Sequence, residues 1–595
     1  MNVSQTRSSD SVLWDLSDLY ASPEDPRIAA DQVALTDQAA AFARRYKGRL
    51  ADLSADELAT LLVAYEGLTD GLGKLGSYAY LLWSTDTENP VHGQLLQRIT
   101  EFSSEISQTL VFVEVEYQAV SDERIAVWLA SPALSRWRFY LDSTRRYKPH
   151  TLSEAEERIL TQKSVTGAQA WIRYFDETLG AARFDLDGES LPEQDVLSKL
   201  HDPDRALRER AAASLTAGFA GMRRTLTYVF NTLLADKQIN DRLRGFDRWI
   251  SSRNLANLID DASVDRLVQA VMRFYPVVQR YYGLKRRLLG YDRMMDYDRY
   301  APVRETETRI DWNEAREIVV RAYTAFHPEM GRIADRFFEK AWIDAAIRPG
   351  KRGGAYSAST VPSAHPYVFM NYDGKWRDVQ TLAHELGHAV HQYLARGQGA
   401  LQCDTPLTTA ETASVFGEML VFQSLLERQT DPKATLSMLM GKIDDTIATV
   451  FRQVSMNRFE EAMHTARRTE GELTSDRLSQ LWIRTQRDLY GESVDLTDGY
   501  ASWWCYIPHF LHTPGYVYAY AFGELLVLAL YEEYLLRPDG FADRYLDLLR
   551  AGGSDWPEQL IRSAGVDIAS PGFWEQGLHI FERMVNQAER LADEG

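Results

Sequence analysis

Apolar residues recur at three- and four-residue spacings in 51–65, 94–113 and 154–163. That period puts them on one face of a helix and predicts a helical array over most of 26–201. The segments 52–57 and 151–155 set Ser, Thr, Asp and Glu ahead of apolar runs and read as helix starts. Residues 181–188 interrupt the pattern as a hairpin or loop, and Asp202-Pro-Asp204 opens a further helical run to Leu243. Strand-like sequence is confined to 353–359 and 366–372, short aromatic and β-branched runs separated by Pro362, His365 and Pro366. Asp373-Gly374 then turns the chain into another apolar helix. The pattern predicts a mainly α chain with one small sheet. No repeat of 20–50 residues is visible, which excludes a solenoid, and 595 residues are too many for one compact core.

The helix that follows the strands carries His384-Glu-Leu-Gly-His388. Residues four apart lie one turn above each other, so both imidazoles can face one metal ion. Glu385 sits about 100° round the helix from His384, where a carboxylate can take a proton from a water at the metal without being a ligand itself. Leu382, Ala383, Leu386, Ala389 and Val390 make this helix apolar over much of its circumference. Burying two histidines and a glutamate there is costly unless a metal and its water satisfy them. His391 is seven residues from His384, roughly 10 Å along the axis, too far to share an ion with it at zinc–nitrogen bonds of about 2 Å. It reads as a packing residue or one that supports the ligands.

A third ligand is expected from Glu411, 23 residues after His388 across the glycine- and proline-marked connection 396–406. Glu411 has a second reading. Thr408 and Glu411 have the spacing of a capping box, in which the threonine starts a helix and the glutamate bonds back to it. Glu418 lies on the face of Glu411 and is placed to orient a ligand histidine. An edge of the small sheet would lie beside the metal, and Gly354, Ala355 and Tyr356 are the candidates for pairing with an extended peptide. Gly353 and Gly354 would allow close backbone approach; an ordinary hairpin with no ligand is the other reading.

Lys+Arg 66 against Asp+Glu 85 give a net charge of −19, with no basic field for a phosphate backbone. Nucleic acid is therefore excluded as the main partner, and a monomer or weak homo-oligomer is expected. The two cysteines, Cys403 and Cys505, support neither a disulfide framework nor a Cys-rich zinc module. Residues 1–20 hold no apolar core of a signal peptide. The longest apolar stretch, 525–531, cannot cross a bilayer, so no membrane partner and a cytoplasmic location are expected.

The remaining informative stretch, 503–523, is rich in Trp, Tyr and His. Hydrolysis at zinc creates an oxyanion, which neutral donors such as tyrosine and histidine stabilise. In a helix after Pro514-Gly515, Tyr516 and Tyr520 share a face and Tyr518 points elsewhere. His512 competes with His509 for a role here.

His384-Glu-Leu-Gly-His388 followed by residues 409–418 resembles the thimet-oligopeptidase-type metallopeptidases, nearest to their oligoendopeptidase F branch. Residues 14–20, 298–302, 342–345, 350–355 and 508–510 look like further pieces of that branch, in order along nearly the whole chain. The resemblance implies two helical lobes around a deep substrate cleft that admits only oligopeptides. It places His509 and Tyr516, then Tyr520, on the substrate side. The expectation is an N-terminal helical lobe over 1–200 and a catalytic domain over 201–595. One Zn2+ per chain is held by His384, His388 and Glu411, with Glu385 as general base and Tyr516 and His509 at the oxyanion. A zinc exopeptidase and a peptide-binding scaffold with a structural metal are the rivals. The first needs a group for a free terminus, and the second usually has four protein ligands and no adjacent base.

Overall fold

The computed structural model describes residues 11–303, 309–570 and 572–594. In chain order its principal elements are α1 (Ala55–Thr85), α2 (Pro90–Leu110), β1 (Phe184–Leu186), β2 (Glu189–Leu191), α3 (Arg205–Leu243), α4 (Trp312–Phe326), β3 (Ile343–Asp344), β4 (Tyr356–Ala358), β5 (Tyr367–Phe369), α5 (Trp376–Ala395), α6 (Ser414–Leu426), α7 (Arg452–Glu470), α8 (Ser475–Tyr490) and α9 (Tyr518–Leu536). The chain is mainly α, as its periodicity predicts. It forms two compact units, each discontinuous in sequence: Met1–Lys148, Glu307–Arg428 and Glu533–Ile568 make the first, and Pro149–Thr306, Gln429–Glu532 and Ala569–Gly595 the second. Among the described residues no helix is long and apolar enough to cross a membrane.

In the first unit, α1 begins at a capping box in which Ser54 Oγ accepts from Glu57 N and Glu57 Oε2 accepts from Ser54 N. Leu58, Leu61 and Leu62 follow on its buried face. The three-stranded sheet has the order β3-β5-β4, with β5 parallel to β3 and antiparallel to β4. β5 is buried at every residue, and the strand order leaves β4 with one edge unpaired among the described residues. β3 is too short for a period-2 pattern to reveal it. Its Asp344, 1 % exposed, accepts from both terminal nitrogens of Arg348 and pairs with Lys351 at 2.7 Å. Lys351 Nζ also donates to Met370 O at 2.6 Å. A buried carboxylate persists only with such partners, and this one ties the 348–352 segment to the sheet.

The helix α5 packs against the sheet and against α6. The α5–α6 approach is closer than a side chain allows, because a Cβ on Gly387 would lie 2.3 Å from Ala413 O and 2.6 Å from Ser414 Cα. Gly417 is similarly crowded: its Cβ would meet the Tyr323 hydroxyl of α4 at 2.0 Å. That hydroxyl donates to Ala383 O of α5. Three helices thus meet where only glycine fits.

In the second unit, β1 and β2 form the hairpin anticipated at 181–188, turning through Asp187 and Gly188 with φ of 56° and 87°. The long α3 begins at Asp204, whose side chain accepts from Ala206 N, and runs to Leu243 as predicted. Leu215, Phe219 and Phe230 of α3 form one core with Phe459 and Met463 of α7, Trp482 of α8 and Trp504. At about 1.5–3 kcal/mol for each large side chain removed from water, this core sets the unit's stability.

Gly387→Ala is expected to destabilise the protein by about 1–3 kcal/mol, since the new methyl meets backbone that cannot rotate away. Chemical denaturation of the two proteins checks this; an unchanged midpoint would mean that α5 and α6 are not held at this spacing.

Candidate metal centre and active site

α5 presents His384 and His388 on one stripe, and the tight contact at Gly387 brings the start of α6 against that stripe. The chain before α6 is not one continuous helix. A four-residue turn, Leu407–Ala410, ends at Glu411, which has φ −80° and ψ −1°, and α6 starts only at Ser414. Pro406, not Thr408, is the N-cap of that turn, and it provides no side-chain cap. The capping-box reading of Thr408 and Glu411 is therefore not formed. Glu411 instead accepts from Ser414 Oγ at 2.7 Å through Oε2.

The same Oε2 lies 3.3 Å from His384 Nε2 and 3.4 Å from His388 Nε2, and the two nitrogens are 3.2 Å apart. In a tetrahedral zinc site with bonds of about 2.0–2.1 Å, two ligand atoms are separated by about 3.3–3.4 Å. His384, His388 and Glu411 thus span one face of such a tetrahedron, and they form a group of possible metal donors among the described residues. Three lone-pair donors converging on one point repel each other unless a cation or proton lies between them.

The surroundings favour a cation. His384 Nδ1 bonds Glu418 Oε1, which fixes the ring and leaves Nε2 for the metal side. Burial opposes charge on His384, but Glu418, Glu411 and Glu385 outweigh it and raise the imidazole to about 9. Burial also opposes charge on Glu411, where His388 and His384 prevail and hold the carboxyl at about 2. Glu385 is 6 % exposed, and burial raises its carboxyl above the ordinary range. His391 is buried, and burial followed by the His388 charge pushes it down to about 3. It stays neutral beside the cluster.

His384, Glu385, His388 and His391 line a cavity of about 440 Å³ whose wall includes Tyr356 and Ser357 of β4, Ala355 before it, and Cys403, Asp404 and Thr405. Two of the anticipated peptide-pairing residues, Ala355 and Tyr356, are therefore beside the histidines. Gly354 is not part of the lining. Neither Gly353 nor Gly354 has any atom of the chain within 4 Å of an added Cβ, so the fold itself does not crowd them. Gly354 is required by its φ of +84°, in a loop latched by Asn371 Nδ2 donating to Gly354 O at 3.1 Å. Sequence reasoning missed Gln392, which continues the stripe of His384 and His388 by one more turn. It accepts from Ser357 Oγ at 2.7 Å and donates to Ser357 O at 3.3 Å, tying the edge strand to the metal helix. The spacing 384, 388, 392 was its available signal.

His509, Tyr516 and Tyr520 form a cluster of their own in the second unit. His509 Nε2 is 3.3 Å from Tyr520 OH, and the Tyr516 and Tyr520 rings pack edge to face at 4.9 Å. Tyr516 precedes α9, so the shared face comes from a turn and not from a continuous helix. Two side chains fix that turn: Glu460 Oε1 accepts from Gly515 N at 2.8 Å and Arg253 Nε donates to Pro514 O at 3.3 Å. Tyr518 is buried, its hydroxyl accepting from Asn257 at 2.9 Å, and His512 is paired with Asp176 at 2.7 Å. Glu418→Ala is expected to weaken metal binding about 10–100-fold, read by competition with a chelator; unchanged affinity would remove Glu418 from the centre.

Residues 198–580 match the model of Peptidase family M3, and residues 116–184 that of Oligopeptidase F. Oligopeptidase PepF of Bacillus subtilis is 27 % identical over 92 % of this chain and 82 % of its own. The group B oligopeptidase PepB of Streptococcus agalactiae is 26 % identical over 98 % and 97 %. Among solved structures, one from Chlamydophila abortus superposes with a TM-score of 0.86 at 25 % identity, over 99 % of this chain and 100 % of its own. Oligoendopeptidase-F from Enterococcus faecium shares the fold, with a TM-score of 0.72 at 24 % identity over 96 % and 99 %. With the family model spanning both the histidine pair and Glu411, the chain belongs to peptidase family M3.

Proposed function

We propose that this metallopeptidase is a zinc-dependent oligoendopeptidase that cuts internal bonds of short peptides, with residues 201–595 as its catalytic domain. The observation that carries the reading is the triangle of His384, His388 and Glu411, with edges of 3.2–3.4 Å, beside the buried Glu385. One Zn2+ held by these three residues would supply Lewis acidity and lower the pKa of water towards neutrality. Glu385 takes the proton of the attacking water and delivers it to the leaving amine. Glu418 holds the His384 ring through Nδ1, and His391 stays neutral behind the stripe. Tyr516, with His509, donates to the oxyanion, and Tyr520 supports His509. Ala355 and Tyr356, followed by Ser357, offer the unpaired β4 edge to the peptide backbone, with Gly354 shaping the loop that leads into it. The enzyme acts on oligopeptides in the cytoplasm as a monomer or weak homo-oligomer.

A quenched-fluorescence peptide of about ten residues, blocked at both ends, tests this reading. Internal cleavage that a chelator abolishes and zinc restores is expected, with products identified by mass spectrometry. Trimming of free-ended peptides alone would replace the reading with an exopeptidase. Glu385→Gln is expected to retain zinc and lose at least 100-fold in kcat, within the usual range for general acid–base groups of about 10²–10⁴. Full turnover in that variant would refute its role as base.

A further inference from the structure

Arg452 opens α7 directly after a five-residue π-helix, Ile447–Phe451. Such bulges re-aim the side chains that follow and are frequent at functional sites. Its Nε is buried and has no hydrogen-bond partner among the described residues. The titratable groups acting on it most strongly are Tyr300, Tyr506 and Tyr500, then Arg299, with no carboxylate among them. The Arg452 guanidinium lies 5.9 Å from the Tyr300 ring centre, and that of Arg299 lies 5.3 Å from the same ring and 4.7 Å from the Tyr500 ring.

The nearby charges do not cancel. Arg299 is 3 % exposed and is satisfied by neutral groups, Asp296 O at 2.7 Å and Tyr490 OH at 2.6 Å. Asp444 is taken by Lys285 and the Tyr281 hydroxyl, each at 2.7 Å. Two guanidinium charges are left among phenols, and Glu193 is the carboxylate that acts on one of these, Tyr506. Arg299 and Tyr500 are buried, whereas Arg452, Tyr300 and Tyr506 each keep part of their surface exposed. A guanidinium with unused donors, flanked by hydroxyls, matches the planar two-oxygen geometry of a carboxylate. Phe510, next to His509, packs on Phe459 of α7 at 5.3 Å, and after burial and His512 it is Arg452 that depresses the His509 imidazole.

We propose that Arg452, with the hydroxyls of Tyr300 and Tyr506, binds a carboxylate of the peptide substrate. The identity of the ligand rests on the peptidase reading. The carboxylate belongs to the peptide's C-terminus or to an acidic side chain.

Three ten-residue peptides of one sequence separate these sources: a free acid, its carboxamide, and a carboxamide with Asp replacing a neutral residue in the C-terminal half. Their affinities are measured calorimetrically on the full zinc-loaded chain carrying Glu385→Gln, so that binding is read apart from turnover. The free acid is expected to bind about 10–100-fold more tightly than the carboxamide, the range for a charge-assisted contact. Arg452→Gln should erase that advantage and leave the carboxamide unchanged, while Arg452→Lys should keep part of it. An advantage confined to the Asp peptide, lost in the same variant, assigns the site to a side-chain carboxylate. Equal affinities for all three peptides, no binding of any, or uniform weakening by both variants would overturn the assignment. Turnover of a doubly blocked peptide by the wild type judges the peptidase reading separately, because that peptide presents no terminal carboxylate.

Discussion

The contact between Gly387 and the backbone at Ala413–Ser414 is the constraint on which the metal centre depends. Two histidines one turn apart make only half of a zinc site. The third donor comes from the turn that leads into α6. It reaches the histidines only because α5 and α6 approach to a distance that a single methyl would prevent. The helical ladder is also interrupted over Glu411–Ala413, which releases Glu411 from helical geometry. The donor triangle follows from these two features of the backbone.

The surrounding residues convert that triangle into a directed site. Glu418 takes one nitrogen of His384 and so determines which nitrogen faces the metal. Glu385 is one residue along from a ligand, on a different azimuth, so it reaches the cavity without closing the coordination sphere. Gln392 extends the histidine stripe of α5 to the free edge of the sheet, where it bonds both the hydroxyl and the carbonyl of Ser357. The Asp344–Lys351 pair holds the sheet from the other side. The His384–His388–Glu411 triangle, Glu385 and the β4 edge therefore all belong to the first unit.

Much of this was legible in the sequence because its determinants are local. The four-residue spacing of His384 and His388 needs only helical geometry, and the cap at Ser54, the hairpin at 184–191 and the start of α3 at Asp204 need only their own neighbours. The parts that were not legible depend on packing. Thr408 and Glu411 carry a valid capping pattern, and only the neighbouring helix decides that the glutamate turns towards the histidines instead. β3 is two residues long and exists because β5 lies beside it. Gly353 and Gly354 read as a close-approach pair, and the left-handed φ of Gly354 is a further demand that no local pattern announces. The interleaving of three chain segments in each compact unit is invisible to any local pattern. A partly buried arginine whose Nε lacks a partner, such as Arg452, likewise looks ordinary in a sequence and becomes conspicuous only when its partners are counted.

The central claim is that His384, His388 and Glu411 hold one zinc ion with a position left for water. X-ray absorption spectroscopy of the zinc-loaded protein, with metal content determined in parallel, tests it most directly. The account predicts one zinc per chain bound by two imidazole nitrogens and oxygen donors at about 2.0–2.2 Å, with stoichiometric binding lost in His388→Ala and Glu411→Ala. A four-ligand protein shell without water, or full zinc occupancy after loss of either residue, would contradict it.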